Sequence, residues 1–330
     1  MVAPLPGEFD LIARYFAPLA RQTPGALGLQ DDAVTIAPPA GCELVLTVDA
    51  LTADVHFLRS DPADLIARKM LRVNLSDLAG KGARPLGYLM TAAFDPAVDE
   101  TWVKRFAEGL AQDQAEFGLT LLGGDTTATP GPLALTATLI GTVPSGRALR
   151  RNGARPGDRI LVTGTIGDGH FGLAALRGEF GQLPLEHRRF LTRRYQLPEP
   201  RVAFGQALIE RGLGRAGMDI SDGLAADLDH MCQASGCGAQ VTLPWVPVSA
   251  ALAELLADDP NLLLSAVTGG DDYELLLAAA PDEVPAVLAA AEAAGTQARE
   301  IGIFTMGKDV MFHDSDSRPI ALPKAGFTHF

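Results

Sequence analysis

The residues with the clearest chemical potential in this 330-residue chain are aspartates: Asp31, Asp32, Asp49, Asp77, Asp125, Asp219, Asp222, Asp271 and Asp272. Several follow β-forming runs or adjoin glycine, as in GGDTT at 123–127, DISDG at 219–223 and GGDDYE at 269–274. Carboxylates held at element ends suit a hard, oxygen-loving cation. Magnesium fits best, because it takes one or two carboxylates together with water and phosphate oxygens. Without a cation, grouped carboxylates repel and some rise in pKa. Any one of these residues alone reads as a helix cap or a turn residue, the commonest use of aspartate. Their recurrence along the chain favours metal chemistry.

The remaining motifs are less specific. TGTIGDGHFG at 163–172 is glycine-rich enough to bring backbone amides to a phosphate. It lacks the GK[ST] ending of a P-loop, and Lys81 in GKGARP does not supply one, so a strand-to-helix turn is the stronger reading. Arg147, Arg150, Arg151 and Arg155 cluster as a phosphate clamp would, or as a solvated basic linker would. No Ser-His-Asp order or nucleophilic cysteine is evident, and His170, His187, His230 and His313 have no recognisable partners.

The frame that must position these acids centres on DPADLIARKMLRVNLSDLAGKGARP, residues 61–85. Asp61 as cap, Pro62 in the first turn and Gly80 or Gly82 as stop predict a helix. Ile66, Met70, Val73 and Asp77 share one stripe, and Leu71, Leu75 and Leu78 form a second, so the helix is expected to be buried on two sides. An aspartate at the end of an inward stripe needs a partner. Before it come an amphipathic helix at 8–20, a short strand after Asp32, and a strand at 43–48 that delivers Asp49 at its end. After it come a strand at 86–94, a helix at 100–117 capped by Asp99 and closed by Gly118, a strand at 119–122 running into GGDTT, and a strand at 132–143.

The Arg-, Gly- and Pro-rich stretch 144–158 marks a domain boundary, giving domains 1–146 and 147–330. The second is expected to hold strands near 159–163, 218–220, 240–243, 273–279 and 299–304. Helices are expected from the Gly-rich turn to about 177 and near 185–194, 200–211, 224–234, 249–257 and 282–294. The fold class is α+β, layered.

A net charge of −13 argues against general nucleic-acid or anionic-membrane binding. No apolar run is long enough to span a bilayer, and MVAPLPGEFD lacks a signal-peptide pattern. Cys42, Cys232 and Cys237 lack zinc-ligand spacing and suit a reducing, cytoplasmic setting.

Taken in order, GEFDLIARYF, QDDAVTI, TVDALTADVHF, the 61–85 stretch, GGDTT, RNGARPGD, VTGTIGDGHFGLAAL, MDISDGLAADLDH, GGDDYEL and GFTHF cover nearly the whole chain. In this order and spacing the chain resembles the thiamine-monophosphate kinases of the aminoimidazole ribonucleotide synthetase-like (PurM-like) superfamily. The resemblance implies a two-domain PurM-like fold and ATP-dependent phosphorylation of thiamine phosphate to thiamine diphosphate. It also implies a homodimer paired through the β-sheets of the N-terminal domains. Carried over by position, it implies magnesium ligands at Asp31, Asp49, Asp77, Asp125 and Asp219, a further ion at Asp222, and added metal contacts at Thr47 and Val48. It implies ATP contacts at Gly124, Asp125, Arg151 and Ser221, and thiamine phosphate contacts at His56, Asp271 and Phe327.

The chain departs from the family pattern in three places. Gln30 replaces the glycine of Gly-Asp-Asp and adds strain if that position needs positive φ. Val48 replaces the threonine of Ser/Thr-Thr-Asp and leaves only a backbone carbonyl to offer. Asp271 is one methylene shorter than the usual glutamate.

The chemistry expected is direct in-line transfer between phosphates. The acceptor's second pKa is near ~6, so no strong general base is required, and several magnesium ions on acids from both halves overcome the repulsion of two anions. The alternatives are another ATP-using superfamily enzyme, such as aminoimidazole ribonucleotide synthetase, and a non-catalytic, acidic divalent-cation-binding module. Selenophosphate synthetase is disfavoured by the lack of an N-terminal Cys-Lys pair. A hydrogenase-maturation carbamoyl dehydratase is disfavoured by a GFTHF ending without cysteine.

Overall fold

The computed structural model describes residues 5–322. The chain divides into two compact units, one built from residues up to 78 with 83–146, the other from 79–82 with the residues from 147 onward.

The first unit opens with α1 (Glu8–Leu11), which continues as a π turn over Ile12–Phe16 and a 3-10 turn over Ala17–Ala20. The expected helix is therefore present but irregular, and Pro18 removes an amide that an α-helix would use. No strand forms at 33–36; Pro38 and Pro39 donate no ladder hydrogen bond on that segment. β1 (Cys42–Thr52) is longer than expected, so Asp49 lies inside it and not at its end.

α2 (Ala63–Gly80) fills the organising stretch. Its end is a Schellman turn. Gly82 at φ +69° donates to Ala79 O (2.9 Å) and Ala83 donates to Leu78 O (2.9 Å). β2 (Arg84–Phe94) follows, then α3 (Glu100–Phe117), whose cap Asp99 accepts from the Trp102 amide and whose stop is Gly118 at φ +69°. β3 (Thr120–Ala128) absorbs the whole GGDTT motif, which the sequence suggested would follow the strand. The reason is close strand approach: a Cβ at Gly124 would fall 1.9 Å from Met90 O.

β4 (Ala134–Pro144) completes a sheet ordered β1-β4-β2-β3, antiparallel except for the β2–β3 pair. α2 and α3 cover one face. Gly109 of α3 sits against Asp64 O, Arg68 and Arg72 pair with the fully buried Asp113, and Tyr88 of β2 accepts from Gln114 (3.1 Å).

The second unit contains β5 (Arg159–Thr163), α4 (Asp168–Leu176), α5 (Leu185–Gln196), α6 (Val202–Arg211), β6 (Ala216–Ile220), α7 (Leu224–Ser235) and β7 (Gly238–Thr242). It continues with α8 (Ala250–Asp258), α9 (Leu262–Thr268), β8 (Glu274–Ala279), α10 (Val284–Ala293), β9 (Ala298–Thr305), β10 (Val310–His313) and β11 (Pro319–Ile320). α9, β10 and β11 were not expected from sequence. The seven strands run in the order β11-β10-β7-β9-β5-β8-β6.

β8 and β6 are buried along their whole length, and Ile160, Val162, Met218, Ile220, Leu224, Leu228 and Leu276 lie in the main core cluster. β8 is antiparallel to both β5 and β6, so the loops after β5 and β6 and the loop before β8 meet at one end of the sheet. Beneath them the fully buried Glu274 carboxylate accepts from Thr163 (2.6 Å), Arg194 (2.7 Å) and Arg201 (2.7 Å). Among the described residues no helix is long and apolar enough to cross a membrane.

Candidate active site

In the first unit the acids form two groups. Thr47 and Asp49 alternate onto the helix-covered face of β1, where the Thr47 hydroxyl donates to the Asp77 carboxylate of α2. Burial, and second the Asp77 charge, push Asp49 up to about 6. Val48 points to the opposite face, 59% exposed, so no side chain at this position reaches Asp77 from this strand.

Asp125 belongs to the second group. The strand register aligns Asp49 with Ala137, Met90 and Gly124, and Asp125 is one residue out of that row, on the other face. β1 and β3 are opposite sheet edges, so Asp49 and Asp125 are separated by three strand spacings, roughly 14 Å. Asp125 instead lines a cavity of about 360 Å³ with Asp31, Asp32 and Gly124, walled by Ile12, Phe16 and Leu29. The Asp31 carboxylate accepts from the Asp32 amide (2.8 Å). Gln30 has φ −109°, so its replacement of glycine adds no strain there; the left-handed residues of this segment are Leu27, Gly28 and Leu29.

His56, in the turn after β1, accepts through Nδ1 from the Thr52 amide (3.0 Å), which leaves the proton on Nε2. Phe327 lies outside the described residues.

In the second unit the three loops at the sheet end lock together. Asp219 is buried in β6, and just after the strand Ser221 and Asp222 donate their amides to one oxygen of Asp227 (3.0 Å each). Burial and the nearby Asp222 raise Asp227 to about 7, with Arg151 opposing. Asp222, Asp227 and His230 each present a ligand atom within 4.8 Å of the others. The Asp271 amide donates to Ser221 O (2.9 Å) and the Tyr273 amide to Ile220 O (2.8 Å).

Asp272 is fully buried and accepts from the Gly167 (2.7 Å) and Gly169 (3.1 Å) amides. Burial holds its pKa well above the usual carboxylate range. Two amides of the Gly-rich turn are thus engaged by a protein carboxylate, so the turn works as a strand-to-helix junction. The Tyr273 hydroxyl donates to Asp271 Oδ1 (3.1 Å). His170 feels the Asp271 charge, but burial dominates and lowers its pKa.

The structure therefore gathers Thr47, Asp49 and Asp77; Asp31, Gly124 and Asp125; and Arg151, Ser221, Asp222 and Asp271 with their anchors. Sequence reasoning missed Asp227 and Tyr273, singled out Asp272 without its role, and left His170 and His230 without partners. Asp227 carries a readable signal, an acid in the first turn of the helix after DISDG.

The family model described as AIR synthase related protein, N-terminal domain, matches residues 30–143, and its C-terminal counterpart matches 155–314. The thiamine-monophosphate kinase of Caulobacter vibrioides is 43% identical over 98% of this chain and 91% of its own length. The crystal structure of thiamine-monophosphate kinase from Stenotrophomonas maltophilia K279a is similar at 38% identity and a TM-score of 0.83, covering 93% of this chain and 96% of that one. AaThiL complexed with AMPPCP and TMP is similar at 27% identity and a TM-score of 0.78, covering 98% of this chain and 97% of that one.

Proposed function

This chain belongs to the thiamine-monophosphate kinase family, within the AIR synthase related proteins, and from that membership we infer that it transfers the terminal phosphoryl group of ATP to thiamine phosphate, forming thiamine diphosphate. The observation that carries this is identity of 43% spread over 98% of the chain.

The acceptor phosphate is mostly dianionic at neutral pH, with a second pKa near ~6. It needs no base to become a nucleophile, in keeping with a transfer that rests on positioning and charge. We assign magnesium to Asp31, Thr47, Val48, Asp49, Asp77, Asp125, Asp219 and Asp222, with Val48 contributing only its carbonyl. The fit is supported by Asp49, whose pKa rises to about 6 where it stands half-buried beside Asp77, a condition a cation relieves. Bound there, magnesium would supply the charge that lets two anionic phosphates approach.

Gly124, Asp125, Arg151 and Ser221 are assigned to ATP, and His56, Asp271 and Phe327 to thiamine phosphate. Asp227 holds the Ser221 and Asp222 amides, so it positions that pair. Domains 1–146 and 147–330 are the proposed functional halves. A cytoplasmic location goes with an ATP substrate and with free thiols at Cys42, Cys232 and Cys237.

The working form is proposed to be a homodimer joined through the first unit's sheet. β1 is an edge strand with Leu44, Leu46 and Val48 38–60% exposed, an apolar edge that needs cover.

The test of the activity is a coupled assay with ATP, magnesium and thiamine phosphate, against thiamine. Thiamine diphosphate formed only from the phosphate ester supports the assignment. Magnesium binding without product would leave a cation-binding module, and turnover of a different acceptor would point to another enzyme of the superfamily.

A further inference from the structure

We propose that Tyr273 is a positioning residue for the phosphoryl acceptor: its hydroxyl fixes the Asp271 carboxylate so that acid and aromatic ring together meet a flat cationic heterocycle. The inference rests on the reading of Asp271 as an acceptor contact and extends it to a residue that reading does not include.

The loop carrying the pair is built to hold it. Asp271 and Tyr273 both adopt left-handed backbone conformations, at φ +71° and +53°. For a residue as bulky as tyrosine this is an outlier, of the kind that surrounding structure must impose and that clusters at binding sites. The surroundings do impose it. Backbone hydrogen bonds tie both residues to 220–221, and Asp272 between them is anchored in the core by the Gly167 and Gly169 amides.

Asp272 is buried, whereas Asp271 and Tyr273 are each half-exposed. The Tyr273 hydroxyl then reaches back to Asp271 Oδ1 at 3.1 Å. This contact removes rotational freedom from a carboxylate that is one methylene shorter than the family's usual acid. Glycine lets neighbouring segments close on this loop: a Cβ at Gly169 would lie 2.1 Å from the Asp271 backbone carbonyl oxygen, and one at Gly269 would lie 2.4 Å from the His170 ring. A carboxylate held beside an aromatic ring is a cation-recognition arrangement, the acid supplying charge and the ring its negative face.

The experiment compares Tyr273→Phe, Asp271→Asn and the double variant in the full-length protein, with KM for thiamine phosphate, KM for ATP, kcat and Tm measured for each. Tyr273→Phe keeps the ring and removes only the donor. The expected result is a KM for thiamine phosphate about tenfold higher, in the range for one hydrogen bond to a charged group, with kcat, KM for ATP and Tm close to the parent. Because the hydroxyl acts through the carboxylate, the double variant should match Asp271→Asn alone.

A Tyr273→Phe KM within twofold of the parent, alongside a raised KM in Asp271→Asn, would overturn the role of Tyr273 and leave Asp271 standing. An unchanged KM in Asp271→Asn would remove the acceptor reading of Asp271, and this inference with it. A joint fall of kcat and Tm with a raised KM for ATP in Tyr273→Phe would make Tyr273 a structural residue and overturn the proposal.

Discussion

Replacing Asp77 with asparagine should stabilise the metal-free protein and abolish its activity. Asp49 rises from 3.8 to about 6, first through burial and second through the Asp77 charge. At 1.36 kcal/mol per pKa unit, holding Asp49 ionised in the fold costs about 3 kcal/mol. Between pH 3.8 and about 6 the folded state binds more protons than the unfolded state, so stability falls as pH rises through that window, and the loss is complete above it. Burial is the larger cause, which leaves Asp77 a share of roughly 1 kcal/mol.

An asparagine at 77 keeps an oxygen to accept from Thr47 and removes the charge. Urea midpoints without magnesium should therefore show Asp77→Asn roughly 1 kcal/mol more stable than the parent at pH 8, the two converging near pH 4. With ATP, magnesium and thiamine phosphate the same variant should lose at least ~100-fold in turnover. Denaturation curves that keep a constant separation from pH 4 to 8 would refute the electrostatic coupling, and near-normal turnover would refute the metal assignment.

Three other changes test the frame. Asp113 is fully buried and paired with Arg68 and Arg72, so Asp113→Ala should leave both guanidinium groups with only the half-exposed Glu116 as acid partner and cost up to about 3 kcal/mol in urea denaturation. Asp272→Ala leaves the Gly167 and Gly169 amides without their acceptor; a loss of about 2–4 kcal/mol is expected, with faster amide exchange at 164–170 as the local readout. Leu46, 60% exposed on β1, should be tolerated by the folded chain as Leu46→Glu yet shift sedimentation from dimer to monomer and reduce turnover.

The long elements were readable because their signals are local. Asp99 and Gly118 bracket α3 at the residues the sequence suggested, and the periodicity of 61–80 is that of α2. Strand ends were read unevenly: β5 spans the expected 159–163, whereas β1 and β3 run past the ends the sequence suggested. GGDTT looks like a turn because glycine usually interrupts a ladder, yet Gly124 is there so that β3 can close on Met90. The acids were found, but their grouping was hidden. Alternation along β1 sets Asp49 toward Asp77, while the order β1-β4-β2-β3 sends Asp125 to the far edge, and strand order is a long-range property. The anchoring roles of Asp227 and Asp272 were hidden because each serves backbone amides of a segment 5 to 105 residues away in sequence.

The three departures from the family pattern have local physical readings. At Gln30, φ is −109°, a value glutamine adopts freely, so loss of the glycine costs no backbone strain. At Val48, the side chain leaves β1 on the face away from Asp77; a hydroxyl there would reach the proposed metal site only through movement of the strand, and the carbonyl is unaffected by the substitution. At Asp271, φ is +71°, where aspartate is among the best-tolerated side chains other than glycine and glutamate is not. The shorter acid thus gives up reach and gains compatibility with the loop's backbone. Asp271→Glu should accordingly lower Tm even though it restores the family's residue. If the hydrogen bond from Tyr273 sets where the carboxylate stands, Asp271→Glu should also raise the KM for thiamine phosphate; a lower KM would mean that length, and not orientation, limits this contact.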